Sequence, residues 1–116
     1  MAGGFEYVID VLVTSPYPAH VKFEWDEQKN RTNQRKHGLS FEEAVRVFDA
    51  GREALELFDE QHSSFEERFI TIGPIQSGLV LVVWTERVED VIRLISARFA
   101  SPAEQLLYRR HVELSP

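Results

Sequence analysis

The sequence predicts an α+β domain in which helices pack on one face of an antiparallel sheet. The predicted order is one short strand, two helices, four strand-like segments and a last helix, and the connections between the four segments are short. Short connections favour antiparallel neighbours, so the four segments are expected to form a meander. A chain of 116 residues with 43% hydrophobic residues suits one domain with one core.

The first twenty residues are predicted to be an appendage to a domain of residues 21–116. Side chains alternate from Phe5 to Val13 as in a strand, and a proline-rich linker follows. An alternative is that translation begins at Val21, which directly precedes the first element of the domain. Residues 1–20 would then be an artefact of the assigned gene start.

Capping residues predict the first helix. A short strand from Lys22 to Trp25 is followed by Asp26, whose carboxylate can accept hydrogen bonds from the backbone of a first helical turn. The polar segment Glu27–His37 has basic residues at its end, and Gly38 supplies the left-handed conformation that often ends a helix. These signals predict a helix over residues 27–37.

Two capping boxes predict the other helices. Ser40 and Glu43 start a second helix whose apolar side chains share one face through Phe48. Ser101 and Glu104 start the last helix, which has a proline at its first position.

The segment between these helices predicts four strands. They are Ala54–Phe58, Arg68–Ile72, Leu79–Thr85 and Val91–Ala97. The third is apolar on both faces, so it is expected to lie in the centre of the sheet.

Composition excludes several classes of function. The net charge of −6 argues against a protein that coats nucleic acid, and the absence of cysteine excludes thiol chemistry. The histidines show no metal-ligand spacing, and no glycine-rich phosphate loop occurs, so neither a metal nor a cofactor is expected. No apolar run is long enough to cross a membrane and no signal peptide is recognisable, so a cytoplasmic location is expected.

Arginines are the strongest chemical signal. Every lysine or arginine after residue 66 is an arginine: Arg68, Arg87, Arg93, Arg98, Arg109 and Arg110. Arginine suits bidentate contact with phosphate, and RNA cleavage by the substrate's own 2′-hydroxyl needs no nucleophile from the protein. The alternative is that each arginine pairs with a nearby acid. Arg93 and Arg98 reach one face of a strand only if a bulge intervenes, or if Arg98 lies beyond the strand end.

Four motifs in order resemble the BrnT family, the toxins of type II toxin–antitoxin pairs. They are FEWD from Phe23, NxxKHG from Asn33, ISAR from Ile95 and ExxxY from Glu104. The resemblance implies a RelE-like fold and an RNA-cleaving activity that blocks translation. It also implies a BrnA-type antitoxin with a ribbon-helix-helix element, through which promoter DNA is bound. Two assemblies remain open: a homodimer of this chain, and a heterotetramer of this chain with the antitoxin.

The resemblance also implies site residues. It carries over Lys36, His37, Arg68, Arg87, Ser96, Arg98, Glu104 and Tyr108. From these and the arginine argument we predict two groups. The predicted catalytic residues are Arg68, Arg87 and Arg98, which hold phosphate, with Tyr108 and His37 for proton transfer. The predicted RNA-binding residues are Lys36, Arg93 and Ser96.

Each assignment has a structural alternative. His37 is favoured at a helix end by the dipole alone, and Tyr108 suits a core position with a bonded hydroxyl. Trp25 and Trp84 are expected in the core rather than as platforms for bases. Phe99 stands where a basic residue is more usual in the family, which weakens the local charge. The sequence therefore leaves two functions open, a metal-independent ribonuclease toxin and an inactive module that only binds its antitoxin.

Overall fold

One sheet organises the protein. The computed structural model describes residues 4–8, 21–62 and 66–114. The strands are β1 (Gly4–Val8), β2 (Lys22–Asp26), β3 (Leu55–Phe58), β4 (Phe69–Ile75), β5 (Gly78–Val88) and β6 (Val91–Phe99). The α-helices are α1 (Glu27–His37), α2 (Phe41–Ala44) and α3 (Pro102–Leu114). Short 3-10 helices follow α2 and β3, at Val45–Glu53 and Glu60–His62. The α+β class predicted from the sequence is confirmed.

The sheet is mixed, which corrects the prediction of a purely antiparallel meander. Its strand order is β1-β2-β6-β5-β4-β3. Strands β3 to β6 do form the predicted antiparallel meander. However, β2 lies parallel to β6, with Phe23 opposite Ile92. The chain between β2 and β3 includes α1 and α2, so β2 reaches a partner that is distant in sequence, and no turn signal marks this pairing.

Local capping explains why α1 has the predicted bounds. The Oδ1 atom of Asp26 accepts hydrogen bonds from the backbone N–H groups of Gln28 at 2.8 Å and Lys29 at 3.4 Å. At the other end, Gly38 has φ 66° and donates its N–H to the carbonyl of Gln34. Both ends are therefore set by residues next to the helix.

The second helix is shorter than predicted. The capping box of Ser40 and Glu43 is present, but α2 makes one turn before the backbone tightens into the 3-10 helix. Two β-branched residues, Val45 and Val47, begin this tighter segment, and such residues weaken an α-helix. The segment packs so closely on β4 that a Cβ at Gly73 would lie 3.0 Å from Val47 Cγ2. Gly73 is paired with Val80 inside β4, which continues to Ile75, whereas the sequence had predicted that the strand ends at Ile72.

The helices lie on both faces of the sheet, so the prediction of a single covered face is wrong. The inner face, covered by α1 and α2, carries the larger core, which includes Val80, Val82 and Trp84. The outer face carries a smaller cluster around Ile72 and Leu81, against which the α3 residues pack through Tyr108. Alternation along β5 sends neighbouring residues to opposite faces, which is why this strand is apolar from Leu79 to Trp84.

The N-terminal strand β1 pairs with β2, with Phe5 opposite Trp25. The sequence had predicted a strand over Phe5–Val13, and residues 9–20, including the proline-rich linker, lie outside the described residues. The division between residues 1–20 and 21–116 stays a prediction. Among the helices of the described ranges, none has the length and apolar character to cross a membrane.

Candidate active site

Two predicted phosphate-binding arginines line one cavity on the outer face of the sheet. The cavity has a volume of about 320 Å³. Arg68, which directly precedes β4, and Arg98, near the end of β6, both contribute to its wall. Apolar side chains of β4 and β5 also line it, as does Ser96 of β6. We call this space the arginine cavity.

A β-bulge brings Arg98 to this cavity. Trp84 of β5 is opposite Leu94 and Val83 is opposite Ser96, so Ile95 is an extra residue on β6. Leu94 and Ala97 are both in the core of the inner face, although they are three residues apart. The alternation is therefore shifted by one residue, and Arg98 is on the same face as Arg93. The bulge that the sequence analysis required for these two arginines is present.

A carboxylate from α3 holds Arg98. The guanidinium donates two hydrogen bonds to Glu104, from Nη1 to Oε1 at 2.7 Å and from Nη2 to Oε2 at 2.8 Å. Glu104 also accepts from the N–H of Ser101 at 2.8 Å, in the predicted capping box. The hydrogen bonds with Arg98 lower the pKa of Glu104 to about 2, and those with Glu104 raise the pKa of Arg98. At neutral pH the pair is fully ionised, and the carboxylate occupies the edge of the guanidinium that carries Nη1 and Nη2.

The lowered pKa of Glu104 predicts a stability that depends on pH. Because the folded pKa of about 2 is below the ordinary glutamate pKa of 4.5, the ionised carboxylate stabilises the fold above about pH 4.5. This stabilisation is lost as the pH falls from about 4.5 towards 2. We expect Glu104→Gln to lower the free energy of unfolding by about 1–2 kcal/mol at pH 7, after allowance for solvent screening of the partly exposed Arg98.

Urea denaturation at several pH values measures this difference. The gap between the wild type and Glu104→Gln should shrink below pH 4.5, whereas Glu113→Gln, which changes an exposed acid on the same helix, should show no such gap. A gap that stays constant between pH 7 and pH 3 would contradict the assignment.

Arg87 and Arg93 are held apart from the arginine cavity. Both donate to the same oxygen of Glu24 on β2, Arg87 at 3.3 Å and Arg93 at 3.4 Å. Arg87 is the extra residue of a second irregularity, since Glu86 is opposite Ile92 and Val88 is opposite Val91. Neither arginine lines the arginine cavity. The structure therefore brings together two of the four predicted arginines and joins the other two through Glu24.

Lys36, His37 and Ser96 meet at a second cavity, between α1 and β6. We call it the α1 cleft; its volume is about 430 Å³. Lys29 and Thr32 also line it. The predicted RNA-binding residues Lys36 and Ser96 are thus brought together, whereas the predicted catalytic His37 lies in this cleft and not in the arginine cavity.

Tyr108 lies beside the outer-face cluster. It packs against the group that includes Ile72, Leu81 and Ala100. Burial, and then the charge of Glu53, raise the pKa of the Tyr108 hydroxyl. The phenol therefore keeps its proton at neutral pH, and Tyr108 is not among the residues that line the arginine cavity.

Sequence reasoning missed two groups near the site. Asp59, which follows β3, lines the arginine cavity, and no motif pointed to it. Asn33 was named above only as the first residue of the NxxKHG motif, but its amide pairs with the edge of β6: it donates to the carbonyl of Ala97 at 2.6 Å and accepts from the N–H of Ala97 at 3.2 Å. The NxxKHG motif was the available signal. Over the residues that the structure describes, no three His, Asp or Glu side chains form a group that could hold a metal.

The structure confirms the prediction that both tryptophans are core residues. Trp25 is fully buried, and Trp84 is 7% exposed and donates from Nε1 to Thr71 at 2.8 Å. Glu104, which was explained by its capping box, has the further role of holding Arg98.

Comparison with known proteins gives one family. The family model described as ribonuclease toxin BrnT of type II toxin–antitoxin systems matches residues 25–104, a range that contains α1, Arg68, Ser96 and Arg98. The fold is similar to the 1.1 Å crystal structure of the Brucella abortus ribonuclease toxin BrnT, with 26% sequence identity and a TM-score of 0.51. This similarity covers 66% of the present chain and 92% of the Brucella chain. No similar sequence was found among the curated proteins.

Proposed function

Because the chain belongs to the BrnT family of ribonuclease toxins of type II toxin–antitoxin systems, we propose that it cleaves RNA through the substrate's 2′-hydroxyl without a metal ion. The observation that carries this proposal is the arginine cavity, which is lined both by Arg68, just before β4, and by Arg98, near the end of β6. Two guanidinium groups supply the positive charge that a metal ion provides in other nucleases.

In the proposed reaction the scissile phosphate takes the place of the Glu104 carboxylate on Arg98. Arginine binds phosphate and carboxylate with the same bidentate geometry, so the exchange keeps both hydrogen bonds. The 2′-oxygen attacks phosphorus and loses its proton to a base, while the bond to the 5′-oxygen breaks and that oxygen takes up a proton. The products are a 2′,3′-cyclic phosphate and a 5′-hydroxyl.

Three groups are candidates for the proton transfers. Release of Arg98 would raise the pKa of Glu104, because the hydrogen bonds with Arg98 are the main cause of its low value. Glu104 then becomes a stronger base beside the bound phosphate. Tyr108, which carries its proton at neutral pH, is the candidate for the acid. His37 is a further candidate for proton transfer. It lies in the α1 cleft, which adjoins the arginine cavity at Ser96.

The family implies an antitoxin partner. We propose that this partner is of the BrnA type and that its ribbon-helix-helix element mediates contact with promoter DNA. The substrate is cytoplasmic RNA, and its cleavage inhibits translation. Within the chain, residues 21–116 form the toxin domain with a RelE-like fold.

The test is incubation of the purified protein, freed of antitoxin, with total RNA in the presence of a chelator. We expect fragments that end in 2′,3′-cyclic phosphate and 5′-hydroxyl. The Arg98→Ala variant, purified in parallel, detects any contaminating nuclease. Intact RNA, or cleavage that needs added Mg²⁺, would contradict the proposed reaction.

A second candidate is an inactive module that only binds the antitoxin. One observation favours it: Arg68, Arg87, Arg93 and Arg98 are each within 4 Å of a glutamate, through Glu66, Glu24 and Glu104. Expression in bacteria without the antitoxin separates the two candidates. Growth arrest that Arg98→Ala relieves supports the nuclease, whereas normal growth with a soluble wild-type protein supports the module.

A further inference from the structure

The arginine cavity and the α1 cleft adjoin each other at the β6 bulge. Ile95 and Ser96 line both cavities. The bulge gives β6 one extra residue at this position, and both residues sit between the two spaces. A ligand bound against Arg98 therefore has a second opening beside it, across Ser96.

Asn33 fixes α1 next to this opening. Strand β2 pairs with β6 only as far as Arg93 and ends at Asp26, where α1 begins. Beyond that point the amide of Asn33 takes over the pairing, with its two hydrogen bonds to the backbone of Ala97. The same side chain donates to the carbonyl of Leu39 at 2.9 Å. Beyond Arg93, the edge of β6 therefore bonds to a side chain instead of a strand. A side chain fills less space than a strand, and the α1 cleft lies in the space that remains.

One face of α1 forms the wall of the cleft. Lys29, Thr32, Lys36 and the buried Asn33 line it at spacings of three, four and seven residues, which are those of a single helical face. The stretch from Gln28 to Phe41 contains four lysines and arginines and no acid, in a chain of net charge −6. Asp26 also lines the cleft, but its carboxylate is occupied by the first turn of α1. The wall is therefore cationic.

We propose that the α1 cleft is a subsite for the nucleotide next to the scissile phosphate of the RNA substrate. Lys29 and Lys36 bind the adjacent phosphate, and the hydroxyls of Thr32 and Ser96 contact the sugar-phosphate backbone. The cleft volume of about 430 Å³ is in the usual range for ligand sites. The proposal rests on the proposed function, and it assigns to Lys29 and Thr32 a role that the sequence motifs did not indicate.

Fluorescence anisotropy with a labelled 2′-O-methyl RNA hexamer tests the subsite without cleavage. This probe keeps its phosphates but has no free 2′-hydroxyl to attack. A lysine–phosphate contact on a single strand contributes about 0.7 to the slope of log affinity against log salt. We expect Lys29→Ala to reduce this slope by about 0.7 and the affinity about fivefold in 0.1 M salt.

Arg31→Ala is the matched control. It removes one charge from the same helix, but the Arg31 side chain is 68% exposed and does not line the cleft. We expect Arg31→Ala to keep the wild-type slope, and thermal melts check that both variants are folded. Equal effects of the two substitutions, or no binding by the wild type, would overturn the subsite.

Parallel cleavage assays separate this proposal from the proposed function. In one outcome, the wild type cleaves RNA, but Lys29→Ala and Arg31→Ala bind the probe equally well. This outcome supports the proposed nuclease and overturns the subsite. A wild type that binds the probe through Lys29 but cuts no RNA supports the subsite and contradicts the nuclease.

Discussion

Replacing Arg98 with alanine is expected to lower the rate of RNA cleavage by about 10²–10³, which is the loss seen when one preorganised group that stabilises a transition-state charge is removed. The β6 bulge presents Arg98 to the arginine cavity, and in the proposed reaction the scissile phosphate replaces Glu104 on the two Nη atoms of its guanidinium. The measurement is the cleavage rate of a short RNA under conditions where a single turnover is followed.

Two further variants make this result specific to Arg98. Arg98→Lys keeps the charge but loses the bidentate geometry, so an intermediate rate is expected. Arg93→Ala removes an arginine from the same strand that is bonded to Glu24 and lies outside the arginine cavity, so a much smaller loss is expected. The assignment of Arg98 is wrong if a folded Arg98→Ala protein cleaves as fast as the wild type.

Replacing Trp84 with alanine is expected to lower the free energy of unfolding by about 3–5 kcal/mol, as is usual for a large aromatic side chain removed from a core. Trp84 joins the sheet to the layer above it: its ring stacks on Phe69 at 4.8 Å between centroids and meets the edge of Phe48 at 5.6 Å. The change also leaves the buried Thr71 hydroxyl without the Trp84 Nε1 donor. Urea denaturation measures the loss.

Two controls distinguish burial from a role in base stacking. Trp84→Phe keeps most of the ring and should lose less stability, and Phe58→Ala removes an aromatic ring that is 47% exposed at the edge strand, so it should lose less still. If Trp84→Ala instead kept its stability and lost RNA affinity, Trp84 would be a platform for bases and not a core residue.

Features that depend on neighbouring residues were predicted well. The bounds of α1 follow from Asp26 and Gly38, and the starts of α2 and α3 follow from Ser40 and Ser101, because each cap acts within one helical turn. The family resemblance rested on the same local motifs, and the family match over residues 25–104 confirms it.

Features that depend on distant residues were predicted poorly. The parallel pairing of β2 with β6 joins Phe23 to Ile92, and no local signal encodes that distance. The placement of α3 on the outer face was missed, because its sequence has no strongly apolar side to show where it packs. The length of α2 was overestimated, because the contact of Val47 with Gly73 is made only in the folded chain.

By itself the sequence determined the elements, their caps, the buried tryptophans and the family, since these depend on residue types and on spacings of a few positions. The tertiary structure decided which arginines share a cavity. The bulge at Ile95 turns Arg98 to the outer face, and Glu24 joins Arg87 to Arg93 away from it. The physical reason is that the direction of a side chain depends on strand register, and register is set by pairing between strands that are far apart in the chain.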